Sequence, residues 1–355
     1  MNLLITLYYN AELGGLHDNV FATAIEAKSE GYNVYVACRS GLFNERLKEA
    51  GINTITVNQN NIMDITGKVK SVLGDEIDLI HTHPGNGRIA AVRLSKEYNI
   101  PIIYHVHGAW NDGINIYIEH LDSVFVVSES VKQRIIELCG GYEEKIHVIP
   151  NYSDYNYSND SYSDVTNTIS LITRIDNDKT LILEEFYKLI PYFNSLNHEL
   201  KINIIGDGTQ RKEFLNKLHE NITNEFVEIN FIGWISDKKL LESYIKESKF
   251  IIGPGRVAID AFTLNRPVIV VGSANYQGII TNENWQHIAA NNFGGFGKNV
   301  HDYNICDDVD QLLNNHSVYK TSTIIGQQII KNFFDKSNTL SKHFMIYNIL
   351  TKKLF

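Results

Sequence analysis

Residues 151–168 read NYSDYNYSNDSYSDVTNT. The stretch is polar, rich in Ser, Asn, Asp and Tyr, and has no helical period, so it reads as an exposed connection. Its meaning comes from what it interrupts. Upstream, short apolar runs at 3–8, 33–37, 54–57, 78–81, 102–106, 123–127 and 145–149 predict strands. Amphipathic stretches at 19–29, 42–50, 87–98 and 130–138 keep helical spacing between them. Gly31, Gly51 and Pro101 punctuate the returns from helix to strand. Downstream the alternation resumes, with strands expected at 169–173, 202–205, 227–232, 250–252 and 267–271, and helices at 181–190, 210–219, 237–247 and 256–264. Three helical stretches close the chain, 307–314 first and 337–350 last. Apolar strands alternating with helices predict parallel sheets covered on both faces. The fold class is therefore α/β: two doubly wound, Rossmann-like halves that place a ligand cleft between their strand carboxyl ends.

Length agrees with this division, since 355 residues is about twice a typical domain. A hydrophobic fraction of 43% lets each half bury a core. No run of eighteen apolar residues occurs, so no membrane span is expected. Met1-Asn2-Leu3-Leu4-Ile5-Thr6 lacks the basic start and cleavage site of a signal peptide and reads as a first strand. Cys38, Cys139 and Cys306 lie far apart without metal-like pairing, as expected of buried thiols in a reducing cytoplasm. The formal net charge of −9 argues against a general nucleic-acid binder, and still permits a local basic pocket.

Several segments could carry chemistry. Arg174-Ile175-Asp176-Asn177-Asp178-Lys179 follows the first strand of the second half. Two cations on a turn leading into a helix make an anion site, whereas a solvated charged turn is the plainer reading. Gly253-Pro254-Gly255-Arg256 stands between a strand and a helix, where glycines allow close backbone approach and a helix start offers N–H groups. Asp260, one turn in, could accept two ribose hydroxyls or be a surface residue. Gly14-Gly15, Gly206-Asp207-Gly208 and Gly233-Trp234 mark strand exits and are weak signals alone. His81/His83 and His105/His107 are HxH pairs whose members share a strand face and could reach a metal ion. No third ligand stands at a familiar spacing, so the favoured reading gives each pair one buried, hydrogen-bonded histidine and one at the cleft. Asp307-Asp308-Val309-Asp310 imitates a metal-binding DxD but precedes Gln311-Leu312-Leu313, where helix capping explains it better.

Taken in order, these blocks resemble the retaining glycosyltransferases of the GT-B fold, specifically the large family 4 group. Gly14-Gly15-Leu16 is similar to that family's first glycine loop, and His105-Val106-His107-Gly108 to its "vHG" segment. Val126-Val127-Ser128-Glu129-Ser130-Val131 resembles "vSeav", and Val148-Ile149-Pro150-Asn151-Tyr152-Ser153-Asp154 resembles "viPNgvD". In the second half, Arg174 to Lys179 is similar to the "RLxxxK" pyrophosphate clamp, 204–208 to "ivGdG" and 231–235 to "flGwv". Gly253 to Asp260, followed by Ala261-Phe262 and Arg266-Pro267-Val268-Ile269, resembles "EGFGlvxlEAmaxGxPVi". Two departures occur there. The paired glutamates fall on Ile252 and Asp260, so the first acid is absent, and the loop before it is short.

The resemblance implies an acceptor-side domain over 1–160, a donor domain over 161–336, and a terminal helix over 337–355 crossing back to the first domain. It implies transfer of a sugar from a nucleoside diphosphate to a hydroxyl with retention, without a metal or other cofactor. Arg174 and Lys179 would clamp the diphosphate, with backbone N–H groups of Gly255, Arg256 and Val257 and with Gly15 from the opposite domain. Arg256 would add a third cation, Asp260 would hold the ribose, Trp234 and Ile235 would flank the base, and His107 would face the donor sugar. A UDP-linked donor is the prior from similar enzymes. The acceptor is expected to be a glycan, glycolipid or wall-polymer precursor at the cytoplasmic face of a bacterial membrane. The chain is expected in the cytoplasm, with peripheral contact at that membrane face allowed, although no strongly basic amphipathic helix proves attachment. A sugar-nucleotide epimerase on the same fold, a metal-dependent hydrolase using the HxH pairs, and a non-catalytic nucleotide-sugar-binding partner remain the alternatives.

Overall fold

A computed structural model describes residues 1–8, 13–58, 61–108, 112–159, 167–295 and 304–352. The chain divides into two compact units: Met1–Pro150 with Ser337–Phe355, and Asn151–Lys336. The division falls at 150/151, so residues 151–159 go with the second unit. The expected boundary at 160/161 touches residues 160–166, which lie outside the described residues.

Among the described residues, the first unit holds seven strands: β1 (Asn2–Leu7), β2 (Asn33–Arg39), β3 (Asn53–Val57), β4 (Leu79–Thr82), β5 (Ile102–Val106), β6 (Ser123–Val126) and β7 (Ile146–Val148). They form one parallel sheet in the order β3-β2-β1-β4-β5-β6-β7. Successive residues alternate between its faces. Leu4, Ile80, Ile102, Tyr104 and Val124 pack on one side, and Leu3, Ile5, Leu79, Ile103 and Phe125 on the other. Burying each such aliphatic side chain contributes about 1.5–3 kcal/mol. The second face also receives Phe344, Ile346, Tyr347 and Leu350 from the helix Lys336–Lys352.

The second unit holds β8 (Thr168–Ile172), β9 (Leu200–Ile205), β10 (Val227–Gly233), β11 (Phe250–Gly253), β12 (Val268–Val271) and β13 (Tyr276–Ile279), ordered β10-β9-β8-β11-β12-β13. The first five are parallel. The edge strand β13 runs antiparallel to β12, a departure from the wholly parallel sheet expected from the sequence. Both sheet faces are again apolar and covered, Ile169, Leu171 and Ile252 on one and Ile172, Ile251 and Val270 on the other.

Helix starts explain some of the polar motifs. Asn304 caps the helix Ile305–Asn314 by accepting from the Asp307 N–H at 3.0 Å. The acidic run is therefore inside the first turn and does not supply the cap. Asp308 turns inward, where it accepts from the Tyr276 hydroxyl and from the Ile279 N–H at 3.2 Å. Burial pushes its carboxyl up to about 6 despite those bonds. Of the three thiols, all free, only Cys38 is fully buried.

Each sheet has one place where the strand order reverses. In the first unit it lies between β1 and β4, in the second between β8 and β11. Loops leaving the two strands at such a point diverge to opposite faces and open a crevice at the carboxyl edge. Candidate residues are therefore sought there.

Candidate functional site

At the second unit's reversal, Arg174 to Lys179 leaves β8 and Gly253 to Arg256 leaves β11. The former segment is held by its neighbours' backbones. Ile175 N–H donates to the Asp207 carbonyl at 3.0 Å, and Gln210 N–H donates to the Ile175 carbonyl at 2.9 Å. Close approach of these loops requires Gly206, where an added Cβ would stand 1.9 Å from the Thr173 carbonyl oxygen. Arg174 is largely covered and pairs with Asp176 at 3.0 Å and with Asp178. The Asp176 carboxylate also accepts from the Thr209 N–H at 2.8 Å and hydroxyl at 3.0 Å. Burial would raise its pKa, but these donors and Arg174 hold it below the usual carboxylate value. Lys179 reaches the Ser273 hydroxyl at 3.0 Å, beyond the end of β12, and stands 3.9 Å from Asp178. Burial lowers its ammonium pKa, Asp178 opposing. The two cations expected from the sequence do share one edge, each already in contact with a polar partner.

The helix Arg256–Thr263 begins beside them, capped at Gly255. Here the expected array of N–H groups needs correction. Gly255 N–H donates to the Phe293 carbonyl at 2.7 Å, and Val257 N–H donates to the Pro254 carbonyl at 3.2 Å. A long-range bond and a tight turn therefore satisfy these two groups internally. Arg256 is committed as well: its Nη2 lies 2.8 Å from Asp154 Oδ2, and its Nε lies 4.0 Å from Asp260. Asp260 accepts from the Ser153 hydroxyl at 2.6 Å. Neither Ser153 nor Asp154 stands out in the sequence as a site residue. Their only signal is membership of the 148–154 block.

Ile252 occupies the place of the absent acid and is fully buried in β11, between Leu171 of β8 and Ile269 of β12. A carboxylate there would sit in an apolar cluster at high desolvation cost. Trp234 follows β10 with about a third of its surface exposed, while Ile235 packs against the apolar cluster around Phe262.

At the first unit's reversal, Gly15 opens the helix Gly15–Ser29, and a Cβ at Gly15 would meet nothing within 4 Å. Across from it, β4 and β5 bring all four HxH histidines onto one sheet face. The expectation of one buried member per pair is corrected for His81/His83, which are both buried, and agrees with the burial of His105/His107, where His105 is buried and His107 half-buried. His81 Nδ1 meets the Tyr347 hydroxyl at 2.5 Å, and His83 Nδ1 meets His107 Nε2 at 2.7 Å. His343 of the last helix packs edge-on against His81. Burial drives all five imidazoles to the neutral form, holding His107 and His343 at about 3. Ring nitrogens of His81, His83 and His105 lie within 4.8 Å of one another. A metal ion sits in the plane of each imidazole that binds it. The rings are inclined to one another by 12–31° at centroid spacings of 4.7–5.6 Å, two pairs stacked and the third tilted. Their nitrogens are close enough to share an ion, and burial keeps the imidazoles in the neutral form that a metal binds.

Two doubly wound sheets, each with its candidate residues at the carboxyl edge of a reversal, have the architecture of the GT-B fold. Residues 13–156 match the family model described as Glycosyltransferase Family 4. Solved structures of low identity share the fold over nearly the whole chain. HepE of Anabaena, solved with UDP and glucose, is 16% identical with a TM-score of 0.70, covering 98% of this chain and 99% of its own. A TarM variant of S. aureus, solved with fondaparinux, alpha-GlcNAc-glycerol and UDP, is 12% identical with a TM-score of 0.71 and 99% coverage of both chains. Sucrose-phosphate synthase of Thermosynechococcus elongatus is 13% identical with a TM-score of 0.72, again covering 99% of both. No curated protein sequence matches. Among the described residues, no helix is long and apolar enough to cross a membrane.

Proposed function

We propose that the chain is a retaining glycosyltransferase that moves a sugar from a nucleoside-diphosphate donor, UDP-linked, to a hydroxyl of a glycan, glycolipid or wall-polymer acceptor. The observation that carries this reading is the convergence of Arg174, Lys179 and the start of the helix Arg256–Thr263 on one carboxyl edge. UDP in the HepE and TarM structures supports a nucleoside diphosphate as the ligand.

The chemical difficulty is charge. As the bond from the anomeric carbon to the diphosphate breaks, negative charge grows on the departing oxygen and the sugar becomes oxocarbenium-like. Fixed cations around that oxygen lower the barrier. Arg174 and Lys179 play this part, with the diphosphate replacing Asp178, the more exposed of the two carboxylates on Arg174. Asp260 takes the ribose, and Trp234 and Ile235 border the base. On the first unit, His107 offers a neutral imidazole to the sugar, and Gly15 leaves room at a helix start. The acceptor oxygen bonds to the anomeric carbon on the face the diphosphate leaves, and its proton passes to the departing phosphate. This chemistry asks for no metal.

A thermal-shift screen of nucleoside diphosphates and their sugars tests the donor, since a tight ligand raises the melting temperature. Incubation of the stabilising donor with acceptor panels then tests transfer. Ile252 favours one second reading, a non-catalytic nucleotide-sugar binder. Stabilisation without transfer, hydrolysis or epimerisation would select it.

A further inference from the structure

Beside Asp260, the ribose contact of the donor reading, stands Arg256 at the helix start, the third cation that the family resemblance suggests. Both are braced by two consecutive residues, Ser153 and Asp154, just after the chain enters the second unit. The Asp154 carboxylate is nearly covered and gathers three cations. Oδ2 takes Arg256 Nη2 at 2.8 Å and Lys238 Nζ at 2.6 Å, and Oδ1 takes Lys336 Nζ at 3.2 Å. Burial alone would raise its pKa, but Arg256, Lys238 and Lys336 outweigh that and hold it at about 2. Ser153 donates to Asp260 at 2.6 Å, while its own oxygen accepts from the Tyr155 N–H at 3.2 Å. The Tyr155 hydroxyl donates in turn to the Lys238 carbonyl at 3.1 Å.

These contacts grip the helix Arg256–Thr263 at its first residue and one turn further on. A free arginine side chain must lose several rotamers to meet a phosphate, and one already held by a buried carboxylate does not. The same holds for a ribose-binding carboxylate whose orientation is set by a serine. Lys336, the last residue of the second unit, ties the brace to the place where the chain leaves it.

We propose that Asp154 and Ser153 are positioning residues of the donor site, Asp154 setting Arg256 for the donor's phosphate and Ser153 setting Asp260 for its ribose. This rests on the donor reading above. UDP and inorganic pyrophosphate are titrated calorimetrically into the full chain, Asp154→Asn, Asp154→Glu, Ser153→Ala, Arg256→Ala and the Asp154→Asn/Arg256→Ala double variant, with thermal unfolding recorded for each. Asp154→Asn is expected to weaken both ligands roughly tenfold, as Arg256→Ala does, and the double variant no further, since two residues acting through one contact are non-additive. Ser153→Ala is expected to weaken UDP about fivefold and leave pyrophosphate unchanged, because only UDP carries a ribose. Additive losses, equal losses of both ligands in Ser153→Ala, or tighter UDP binding in Asp154→Asn would overturn the assignment. The last result would make Asp154 a competitor of the phosphate. Should Asp154→Asn not fold, Asp154→Glu keeps the charge but misplaces it and is expected to weaken both ligands; wild-type affinity there would equally overturn the assignment. A wild-type chain that binds neither ligand defeats the donor reading itself, a result distinct from any pattern among the variants.

Discussion

The two strand-order reversals share a topology and differ in chemistry. At the first, on β4 and β5, the polar residues are four neutral imidazoles, three of them buried and His81 bonded to Tyr347 of the last helix, together with the Arg88–Asp112 ion pair at 2.7 Å. Between β8 and β11 they are ion pairs, Arg174 with Asp176 and Asp178, and Arg256 with Asp154. Burial explains the contrast. An imidazole can shed its charge and enter an apolar face, whereas guanidinium and ammonium groups stay charged and must keep partners and some access to water. The second reversal is thus suited to holding an anion. At the first, the half-buried His107 is the neutral imidazole left to meet a hydroxyl.

The sharpest way to break this contrast is to remove the charge from the second reversal. Replacing both Arg174 and Lys179 with Ala is expected to lower transfer by about 10³-fold or more, because two fixed cations are lost from the departing diphosphate. The fold should survive, since Asp176 keeps its Thr209 donors and the loop keeps its backbone bonds. Turnover at saturating donor, with circular dichroism as control, reads the outcome. Wild-type rates would end the assignment of these residues.

Acid separates the units next. A buried histidine with a lowered folded pKa binds a proton more readily when unfolded. Its stabilisation is complete above the unfolded value of about 6.5 and is lost as pH falls toward the folded value. For His107 and His343, held at about 3, this costs about 2 kcal/mol each by pH 5. Asp154 behaves in the opposite range. Its lowered pKa contributes stability present above about 3.9 and lost only as pH falls through about 2. Hydrogen exchange resolved by segment between pH 7 and 4 should show 1–150 and 337–352 opening before 151–336. Simultaneous opening would remove the contrast.

How much of this was legible beforehand follows the same division. Alternating apolar runs exposed both parallel sheets, because strands buried on two faces leave a plain signal. The four residues of β13 did not show. A short antiparallel edge strand interrupted by Gly278, at φ 71°, has neither the length nor the period of a strand. That Arg174 and Lys179 share a strand edge was readable because both follow β8 in chain order. Asp154 was not, since its partners Arg256, Lys238 and Lys336 are 84 to 182 residues away and only folding brings them together. His81 and His83 misled for a related reason. Strand alternation places both members of a pair on one face, but only the docked last helix decides that this face is closed.

A smaller effect tests that closure. Tyr347→Phe removes the hydroxyl that meets His81 and leaves a buried imidazole nitrogen without that partner, costing about 1–2 kcal/mol. Denaturant unfolding should show the loss, with UDP affinity unchanged because nothing at the second reversal is touched. A fall in UDP affinity would show that the two chemistries are coupled.

The least effect is expected at Ser273. Its hydroxyl is the nearest polar partner of Lys179, at 3.0 Å, with Asp178 next at 3.9 Å. Removing it with Ser273→Ala leaves the ammonium charged and still near a carboxylate, so only its aim is loosened. The bond is charge-assisted, but Asp178 and water take its place, so a net loss of about 1 kcal/mol or less predicts a two- to threefold weaker Kd for UDP and no change in unfolding temperature. A tenfold loss would mean that the serine itself touches the diphosphate and that the clamp has a third member. Tighter binding would mean that Ser273 holds Lys179 away from the ligand, and that the cation acts only after leaving it.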